Sequence, residues 1–600
     1  STLLPYTTLF RSQPSMIQKA TVYGFGGTAI FNSSQGGFTQ AAGSVIDVSA
    51  TNASAGSISI SAGSGAVSFG GRLAGSATGN NTSGDFSVTA ASMSSTDFAA
   101  LNALLTQGGL FDARSFDIKS GDLVIGDGVK AHSVTVSVDG GALTVAGTID
   151  ASGAAPGTIR LSAGNGLALA STAVLDAHGT VLQTDSYGQP IEAKNRGHIE
   201  LTAAGGVLTL SPGATMDLTA PNGVAYGDVV LNAQRTGETS GDIAINAAGP
   251  LNIKGAYSIA LNAFWTYDLP GGSTITQATL DGYDTASTAF ISAALGNAGL
   301  SARVAGLSAY GSAYHLRPGV QITSSGDLST SGDIDLATYR YGANADRDPN
   351  SATYGAGEAM ALVIRAGGNL AIQGSISDGF RPATDAPALY SPVADVTASS
   401  AFRQVGTNYL LSIGGTVKTA TAWTVPTTWG LVLPFYPRDP SGHRYAPGQT
   451  IPAGTTLSFL YIPATKASSV GGVFSSPSGP ALPAAQGTSA WAVMLPSGSQ
   501  SASLRLTAGA DLTAADQRGL QTVGALSGAG NLTLNDPTYG NFGQGTFYSV
   551  VRTGTGSLEL LAGGSFSEAT PYGVYTAGTQ AAPVLVNGSN PYDLIGALRS

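Results

Sequence analysis

The chain has 600 residues, of which 83 are glycine and 10% are charged, and its net charge is −10. An acidic chain lacks the basic surface that phosphate binding needs, so nucleic acid is excluded as a partner. No stretch reaches the ~20 apolar residues of a membrane-spanning helix, and a hydrophobic fraction of 42% argues against disorder.

The first twelve residues, STLLPYTTLFRS, do not resemble protein sequence. Thr2 to Ser12 match the translation of a widely used short-read sequencing adapter at every position except Leu4. We interpret residues 1–12 as a translated adapter and leave them out of the fold prediction. The chain also stops at Ser600 without a closing element. We therefore expect both ends to be truncated, so that no signal peptide would be visible in this sequence.

Short repeated phrases dominate residues 13–260 and return in 311–380 and 501–600. The first phrase is a glycine, then aliphatic residues at alternate positions, then an alanine. The second phrase is an aliphatic residue followed by aspartate. Each phrase predicts a short strand, and a third short strand lies between the two. Copies of the first phrase begin at Gly56, Gly157, Gly197, Gly227, Gly241, Ser503 and Gly556. Three short strands in roughly 20–30 residues are typical of a parallel β-helix.

We therefore predict an all-β fold, a right-handed parallel β-helix. Stacked turns place equivalent residues one strand spacing apart, so like charges would repel, and this explains the low charge. The many glycines fit the corners between strands, where the backbone turns sharply. An array of β-sandwiches would also contain short strands, but it would favour hairpin turns and larger core aromatics.

Two helical segments interrupt the predicted β-helix. The first covers Ser95 to Gly108, where Thr96 can cap the helix and Phe98, Leu101, Leu104 and Leu105 form an apolar stripe. The second lies in residues 261–310, which are not repetitive, and we expect a helix in the alanine-rich stretch from Thr285 to Leu307.

Residues 381–500 are predicted to form an inserted domain outside the β-helix. This segment is rich in proline and threonine and holds Trp423, Trp429 and Trp491, three of the four tryptophans. Aromatic residues flanked by polar ones can stack on sugar rings or bind a protein. The candidate ligand-contact residues are Trp423, Trp429, Phe435, Tyr436 and Tyr445, with His443 beside them. The alternative interpretation is that they form the small core of the domain.

No catalytic motif or cofactor-binding fingerprint is found, so we predict a protein that is not an enzyme and carries no cofactor or metal. Asp47, Asp150, Asp176 and Asp217 occupy equivalent positions and could stack as a carboxylate row. Asx-type turns are the favoured alternative, because adjoining copies carry no lysine or arginine at a fixed offset. The five histidines lack metal-type spacing and are expected to be exposed coil residues: His132, His178, His198, His315 and His443.

Several longer phrases resemble the filamentous haemagglutinin-like large exoproteins of Gram-negative bacteria. The resemblance covers most of residues 115–580, and its phrases lie at 121–131, 138–153, 315–320, 333–342, 364–380, 560–564 and 574–578. It implies a secreted or cell-surface adhesin. The partners it implies are an outer-membrane two-partner secretion transporter and a receptor on host or bacterial surfaces, for which carbohydrate is one candidate.

Two other functions remain open. The chain could be the stalk of a contact-dependent growth-inhibition toxin whose toxic domain lies elsewhere. It could also be a polysaccharide-acting enzyme, since such enzymes use parallel β-helices, with clustered carboxylates on one face.

Overall fold

The structure is a computed structural model that describes residues 25–381, 389–397, 399, 401–412, 415–478, 493–535, 550–569 and 573–580. It is an all-β structure with many-stranded parallel sheets and few helices. Residues 1–12, Trp491 and the C-terminal Ser600 lie outside the described residues. Within the described residues, no helix is long and apolar enough to cross a membrane.

The first part of the chain alternates longer and shorter strands. Its elements are β1 (Thr28–Asn32), β2 (Phe38–Gln40), β3 (Val45–Asp47), β4 (Ser57–Ala62), β5 (Val67–Phe69), β6 (Arg72–Ala74), β7 (Asp85–Ser92), α1 (Ser95–Gln107), β8 (Ala113–Ser120), β9 (Leu123–Ile125), β10 (Val129–Lys130), β11 (Ser133–Gly140), β12 (Leu143–Val145), β13 (Thr148–Asp150), β14 (Thr158–Ala163), β15 (Leu167–Leu169), β16 (Val174–Asp176), the 3₁₀ helix η1 (Glu192–Asn195), β17 (His198–Ala203), β18 (Leu208–Leu210), β19 (Thr215–Asp217), β20 (Gly227–Gln234), β21 (Ile245–Asn246), β22 (Asn252–Lys254) and β23 (Ala256–Asp268).

Helices then separate this part from a second run of strands. The elements are β24 (Ser273–Ile275), α2 (Gln277–Leu295), α3 (Ala298–Arg303), α4 (Ala305–Ser308), η2 (Gly311–Ala313), β25 (Tyr314–Ser324), β26 (Leu328–Thr330), β27 (Ile334–Asp335), β28 (Ala361–Ala366), β29 (Leu370–Ile372) and β30 (Ile376–Ser377).

The remaining elements fall into two groups. The first is β31 (Leu389–Pro392), β32 (Phe402–Val405), β33 (Asn408–Leu411), β34 (Val417–Thr419), β35 (Trp423–Thr424), η3 (Thr427–Trp429), η4 (Leu433–Phe435), β36 (Thr450–Ile451), β37 (Thr456–Leu457), β38 (Tyr461–Ile462), η5 (Ala464–Val470) and β39 (Phe474–Ser478). The second is β40 (Ser503–Ala508), α5 (Val523–Leu526), β41 (Leu532–Leu534), β42 (Val551–Thr553), β43 (Leu558–Ala562), β44 (Phe566–Glu568) and β45 (Val574–Thr576).

One parallel sheet runs through both parts and is called the long sheet below. Its thirteen strands follow the order β1, β4, β7, β8, β11, β14, β17, β20, β23, β25, β28, β40 and β43. Between the long-sheet strands from β8 to β23, the chain adds strands to two further parallel sheets, and separate, smaller sets of parallel sheets take their place before β7 and after β23. Thus β12, β15 and β18 are neighbours in the second sheet, and β13, β16 and β19 are neighbours in the third.

Apolar residues stack in register along the long sheet. Leu161 pairs with Leu201, which pairs with Leu231 and then Leu261, and all four side chains are completely buried. Residues between these apolar positions point to the opposite face, because side chains alternate along a strand. The glycine-aliphatic phrase is therefore the sequence of one long-sheet strand, and its apolar residues form the core between the sheets.

One copy of that phrase is an exception. Residues 241–247 contain β21, which pairs with β18 in the second sheet rather than joining the long sheet. The segment after β20 folds back on the strand through a bridge between Arg235 and Ile243, and this places Ile245 in the second sheet. The next long-sheet strand is β23. The prediction that the phrase at Gly241 forms another strand of the same kind was wrong.

Helix α1 begins at Ser95, as predicted, but its capping residue differs from the prediction, and helix α2 begins earlier than predicted. Helix α1 is capped by Ser94, whose hydroxyl accepts from Asp97 N, and not by Thr96, which already lies inside the helix. Helix α2 starts at Gln277 rather than near Thr285. Thr276 and Thr279 form a reciprocal capping box there, and this supplies the start signal that the alanine-rich composition does not reveal.

Residues 389–478 are excluded from the parallel sheets. Strand β28 pairs directly with β40, although the whole segment lies between them in sequence. Strands β31 to β39 pair only antiparallel, in sheets of four, three and two strands. We call residues 389–478 the inserted unit. Its core is separate from the main core and includes Val396, Val417, Leu457, Leu460 and Phe474.

The two connections of the inserted unit run side by side. Arg381 N donates to Val493 O at 2.7 Å, and Leu495 N donates to Gly379 O at 2.9 Å. Phe380 and Met494 form an antiparallel bridge between these bonds. The chain therefore leaves the parallel sheets after β30 and returns toward β40 at one point, which we call the neck.

This neck predicts that the inserted unit can be removed. Replacing residues 382–492 with a short glycine-serine linker should leave the main thermal unfolding transition within a few degrees of wild type, because loop closure changes by only about 0.6 kcal/mol per doubling of loop length. Circular dichroism and differential scanning calorimetry would measure this. Loss of the main transition would mean that the parallel sheets need the inserted unit in order to fold.

Candidate functional site

The five candidate ligand-contact residues lie together in the inserted unit. Trp423 is on β35, and its ring centroid lies 5.6 Å from that of Trp429 and 5.1 Å from that of buried Phe474. Tyr436 and Tyr445 are partly buried and pack against the same core, as both tryptophans do. These four residues thus help to build the core of the unit, and each remains partly accessible.

Phe435 is the most accessible of the five. Its side chain is 40% exposed, and its ring lies 4.9 Å from that of Tyr461. His443 is exposed and meets the Tyr445 ring edge to face at 4.7 Å. The structure therefore brings the predicted residues together on one unit. Ligand contact by these residues stays a prediction.

Three of the four aspartates form the predicted row. Asp150 pairs in register with Asp176, and Asp176 with Asp217, whereas Asp47 lies apart on β3, paired with Ala74. The row ends in lysines at the same register position. Lys130 contacts Asp150 at 2.8 Å, and Lys254 contacts Asp217 at 3.7 Å. The sequence-based argument that no lysine sits at a fixed offset was therefore wrong.

Each aspartate of the set also closes an Asx-type turn. Its Oδ1 accepts from the backbone N–H two residues later, at 2.9 to 3.2 Å, and the acceptors are Asp47, Asp150, Asp176 and Asp217. This bonding confirms the turn interpretation. Nowhere in the described residues do three or more His, Asp or Glu side chains form a group that could hold a metal ion.

Three histidines contact carboxylates instead of standing exposed. Nδ1 of His178 lies 2.6 Å from Asp176, Nδ1 of His198 lies 2.6 Å from Asp228, and Nδ1 of His315 lies 2.7 Å from Glu358. His198 and His315 sit on strands β17 and β25. The expectation of exposed coil residues was wrong for His198 and His315, because each is held on a strand beside an acidic neighbour. His178 lies in coil, as expected, but is only partly exposed.

A bend in the long sheet creates a site that the sequence analysis did not identify. Glu200 is on β17 and Arg505 is on β40, five positions apart in the sheet. In a flat sheet this separation is about 24 Å. Yet Arg505 Nη2 and Glu200 Oε1 are 3.2 Å apart. The outer faces of the two halves of the long sheet must therefore face each other.

A network of charged residues lies inside this bend of the long sheet. Arg518 Nη2 donates to Glu200 Oε2 at 2.6 Å and to Glu559 Oε1 at 2.8 Å. Arg505 Nε donates to Glu559 Oε2 at 2.8 Å. The Glu200 side chain is only 4% exposed, so these bonds are shielded from water. We call Glu200, Arg505, Arg518, Glu559 and His198 the ion network.

The surroundings of the ion network fix its charges. Burial alone would raise the pKa of Glu200, but the charges of Arg505 and Arg518 outweigh it and hold this pKa well below the usual value. The same arginines lower the pKa of Glu559 to about 2 despite burial. Burial disfavours the charged form of His198, but its contacts with Asp228 and Glu200 raise the pKa to about 9.

The segment between β40 and α5 extends the contact between the two halves. Its Asp511 lies 3.3 Å from Lys119 Nζ, and its Ala515 N donates to Asp139 Oδ1 at 2.9 Å. Lys119 and Asp139 belong to β8 and β11, far from β40 in the sheet order. Gln517 contributes a bond to Gln321 Oε1 at 3.0 Å. The segment therefore joins the two halves of the bent sheet through an ion pair and hydrogen bonds.

The cavity inside the bend is too small for a sugar or a cofactor. Its volume is about 70 Å³, and its walls include Asn232, Asn262 and the ion network. Ligand pockets usually measure ~300–1,000 Å³, so this space suits a few water molecules. A shallower groove of about 540 Å³ lies between the end of α2 and residues 340–347.

One sequence signal could have revealed the ion network. The outward position after the first aliphatic residue of the repeated phrase is charged in only some copies. It holds Arg160, Glu200, Arg505 and Glu559, and Arg160 pairs in register with Glu200 as Arg505 does with Glu559. In a chain with 10% charged residues, opposite charges at matching positions indicate contact.

Breaking the ion network should loosen the bend. Glu200→Gln removes the more deeply buried of the two carboxylates that Arg505 and Arg518 share and leaves these arginines with Glu559 alone, so we expect a local loss of about 3 kcal/mol. Hydrogen–deuterium exchange of amides 511–521 should then accelerate by on the order of 100-fold. Glu192→Gln is the matched control, since its side chain is 65% exposed and its pair with Arg196 lies on the surface. Equal effects of the two substitutions would contradict the role of the network.

The ion network also predicts the pH range in which the contact between the two halves of the bent sheet is most stable. His198 has a pKa raised from 6.5 to about 9, so its contribution is complete below pH 6.5 and is lost as the pH rises through about 9. Glu559 has a pKa lowered from 4.5 to about 2, so its contribution is present above pH 4.5 and is lost as the pH falls. Exchange of amides 511–521 should be slowest between pH 4.5 and 6.5, after correction for intrinsic rates, and His198→Asn should remove the alkaline limb.

Comparison of the chain with protein-family models, with curated proteins and with solved structures found no match.

Proposed function

We propose that this chain is the structural stalk of a secreted or surface-exposed, non-enzymatic adhesin-type exoprotein that mediates attachment to cells or surfaces. The observation that carries the proposal is the pairing of β28 with β40 across the whole inserted unit. A long scaffold of stacked strands continues without interruption while a separate unit with accessible aromatic rings projects from it. Such a division suits a protein that holds a binding surface at a distance.

We further propose that the sheets wind as a right-handed parallel β-helix. Successive strands β11 to β13, β14 to β16 and β17 to β19 enter the same three sheets in the same order, always parallel. A chain that repeats this circuit advances by one strand spacing each time and therefore follows a helical path. A cryo-electron microscopy map of the full chain would test the winding, and left-handed turns would contradict it.

The resemblance to filamentous haemagglutinin-like exoproteins supports the proposed route and partners. On that basis the chain is exported through an outer-membrane two-partner secretion transporter and binds a receptor on host or bacterial surfaces, with carbohydrate as a candidate. The aromatic residues of the inserted unit are the proposed contact. They provide flat apolar faces beside polar groups, the surface that sugar rings and protein partners prefer.

Attachment should depend on the inserted unit. The full chain should bind cultured cells, and deletion of residues 382–492 or the double substitution Trp429→Ala and Phe435→Ala should lower the bound fraction by about 10-fold or more. Flow cytometry with labelled protein measures this. Tyr257→Ala is the control, because this aromatic side chain is 63% exposed but lies on β23.

Equal binding by the deletion variant and the full chain would place attachment elsewhere in the protein. Failure of the full chain to bind any cell type or matrix would contradict the adhesin proposal itself.

A further inference from the structure

The inserted unit carries a concentrated run of exposed apolar side chains. Val432 is 58% exposed, Leu433 is 65% exposed and Phe435 is 40% exposed. Elsewhere in the described residues, large exposed apolar side chains adjoin in sequence only at Ile30 and Phe31, on the edge strand β1. Clustered apolar side chains on a surface mark interaction sites, whereas isolated ones need no explanation. We call residues 432–435 the apolar ridge.

The ridge is held in place by its own bonds. Phe435 N donates to Val432 O at 2.8 Å, which closes the short 3₁₀ turn of η4. Arg444 Nη1 donates to Leu433 O at 3.1 Å, and the Phe435 ring rests 4.9 Å from that of Tyr461. The apolar side chains are therefore presented outward by an ordered backbone, and binding through them requires little additional ordering.

Two arginines that form no salt bridge among the described residues stand beside the ridge. Arg438 and Arg444 face each other across an antiparallel bridge. In the part of the chain that the structure describes, neither forms a salt bridge with a carboxylate. Burial and the nearby charge of Arg444 lower the pKa of Arg438. The neighbouring Asp439 accepts from the backbone amides of Ser441 and His443 and forms no salt bridge with either arginine. Two like charges held together in this way favour an anionic partner.

The charge of the whole inserted unit points the same way. Residues 389–478 contain five basic residues and two acidic ones, a net charge of +3, whereas the full chain carries −10. The basic residues are Arg403, Lys418, Arg438, Arg444 and Lys466, and the acidic residues are Asp395 and Asp439. The inserted unit is therefore a cationic body attached to an acidic scaffold.

We propose that the apolar ridge inserts into the surface of an anionic lipid bilayer, with Arg438 and Arg444 binding the headgroup phosphates. A bilayer offers an apolar layer directly beneath a layer of negative charge, and the ridge with its two arginines has the complementary arrangement. A glycan chain has no apolar layer to receive the aliphatic side chains of Val432 and Leu433. The inference rests on the proposed attachment function, because it names the surface to which the inserted unit attaches.

The test is sedimentation of the full chain with vesicles of phosphatidylcholine, alone or mixed with phosphatidylserine. We expect binding to the mixed vesicles and little binding to phosphatidylcholine alone. The double substitutions Leu433→Ser with Phe435→Ser, and Arg438→Gln with Arg444→Gln, should each weaken binding about 10-fold or more. Added salt should release the protein, because headgroup attraction is screened.

Matched controls separate the ridge from general surface effects. Val523→Ser removes an apolar side chain that is 80% exposed outside the inserted unit, and Arg196→Gln removes an exposed arginine of the parallel part. Neither should change vesicle binding. Near-ultraviolet circular dichroism of each variant establishes that the inserted unit stays folded. Equal loss in the control and ridge variants would overturn the proposal.

A parallel assay on cultured cells separates lipid binding by the ridge from attachment to cells. Cell attachment without vesicle binding would overturn the lipid inference and leave the adhesin proposal standing, with a protein or glycan as the partner. Vesicle binding that the ridge variants do not reduce would also overturn it. Vesicle binding that depends on both the ridge and the arginines supports it, even where no cell receptor is found.

Discussion

The stacking of like residues on like residues along the long sheet is the constraint on which the rest of the structure depends. Each strand finds its register because an apolar side chain lies directly over its counterpart, as in the column through Leu161, Leu201, Leu231 and Leu261. A slip by one residue would turn this column to the outer face and expose it. The same rule limits charge, since an ionised group repeated at every strand would repel its neighbours.

The constraint also explains which parts of the fold the sequence could predict. Repeated phrases identify strands because each strand must match the one before it, and the phrases at Gly157, Gly197 and Gly227 all form long-sheet strands. The copy at Gly241 does not, because its position is decided by a fold-back beyond β20 that leaves no periodic signal. The start of α2 and the cap of α1 were misassigned for a similar reason, since capping depends on a few hydroxyl contacts and composition says little about them.

One of the two candidate sites could be predicted from the sequence, and the other could not. Clustering of aromatic residues in one unit could be predicted, because tryptophan and tyrosine are concentrated there in sequence. The ion network could not, because it depends on the bend. That bend occurs around β23. The first half of β23 pairs with β20, and its second half pairs with the part of β25 that in turn pairs with β28. No local pattern encodes this offset between two halves of one sheet, although the matched charges at Arg505 and Glu559 give a partial signal.

The ion network has a consequence for the order in which the protein folds. Glu200 and Arg505 are separated by 305 residues, and Arg518 and Glu559 follow later still. A chain that emerges from its amino terminus can complete β1 to β22 long before these partners exist, since each strand needs only its predecessor. Closure of the bend is therefore a late event. Until then Glu200 stays hydrated on an open face, so the early part of the molecule is never left with a buried, unpaired charge.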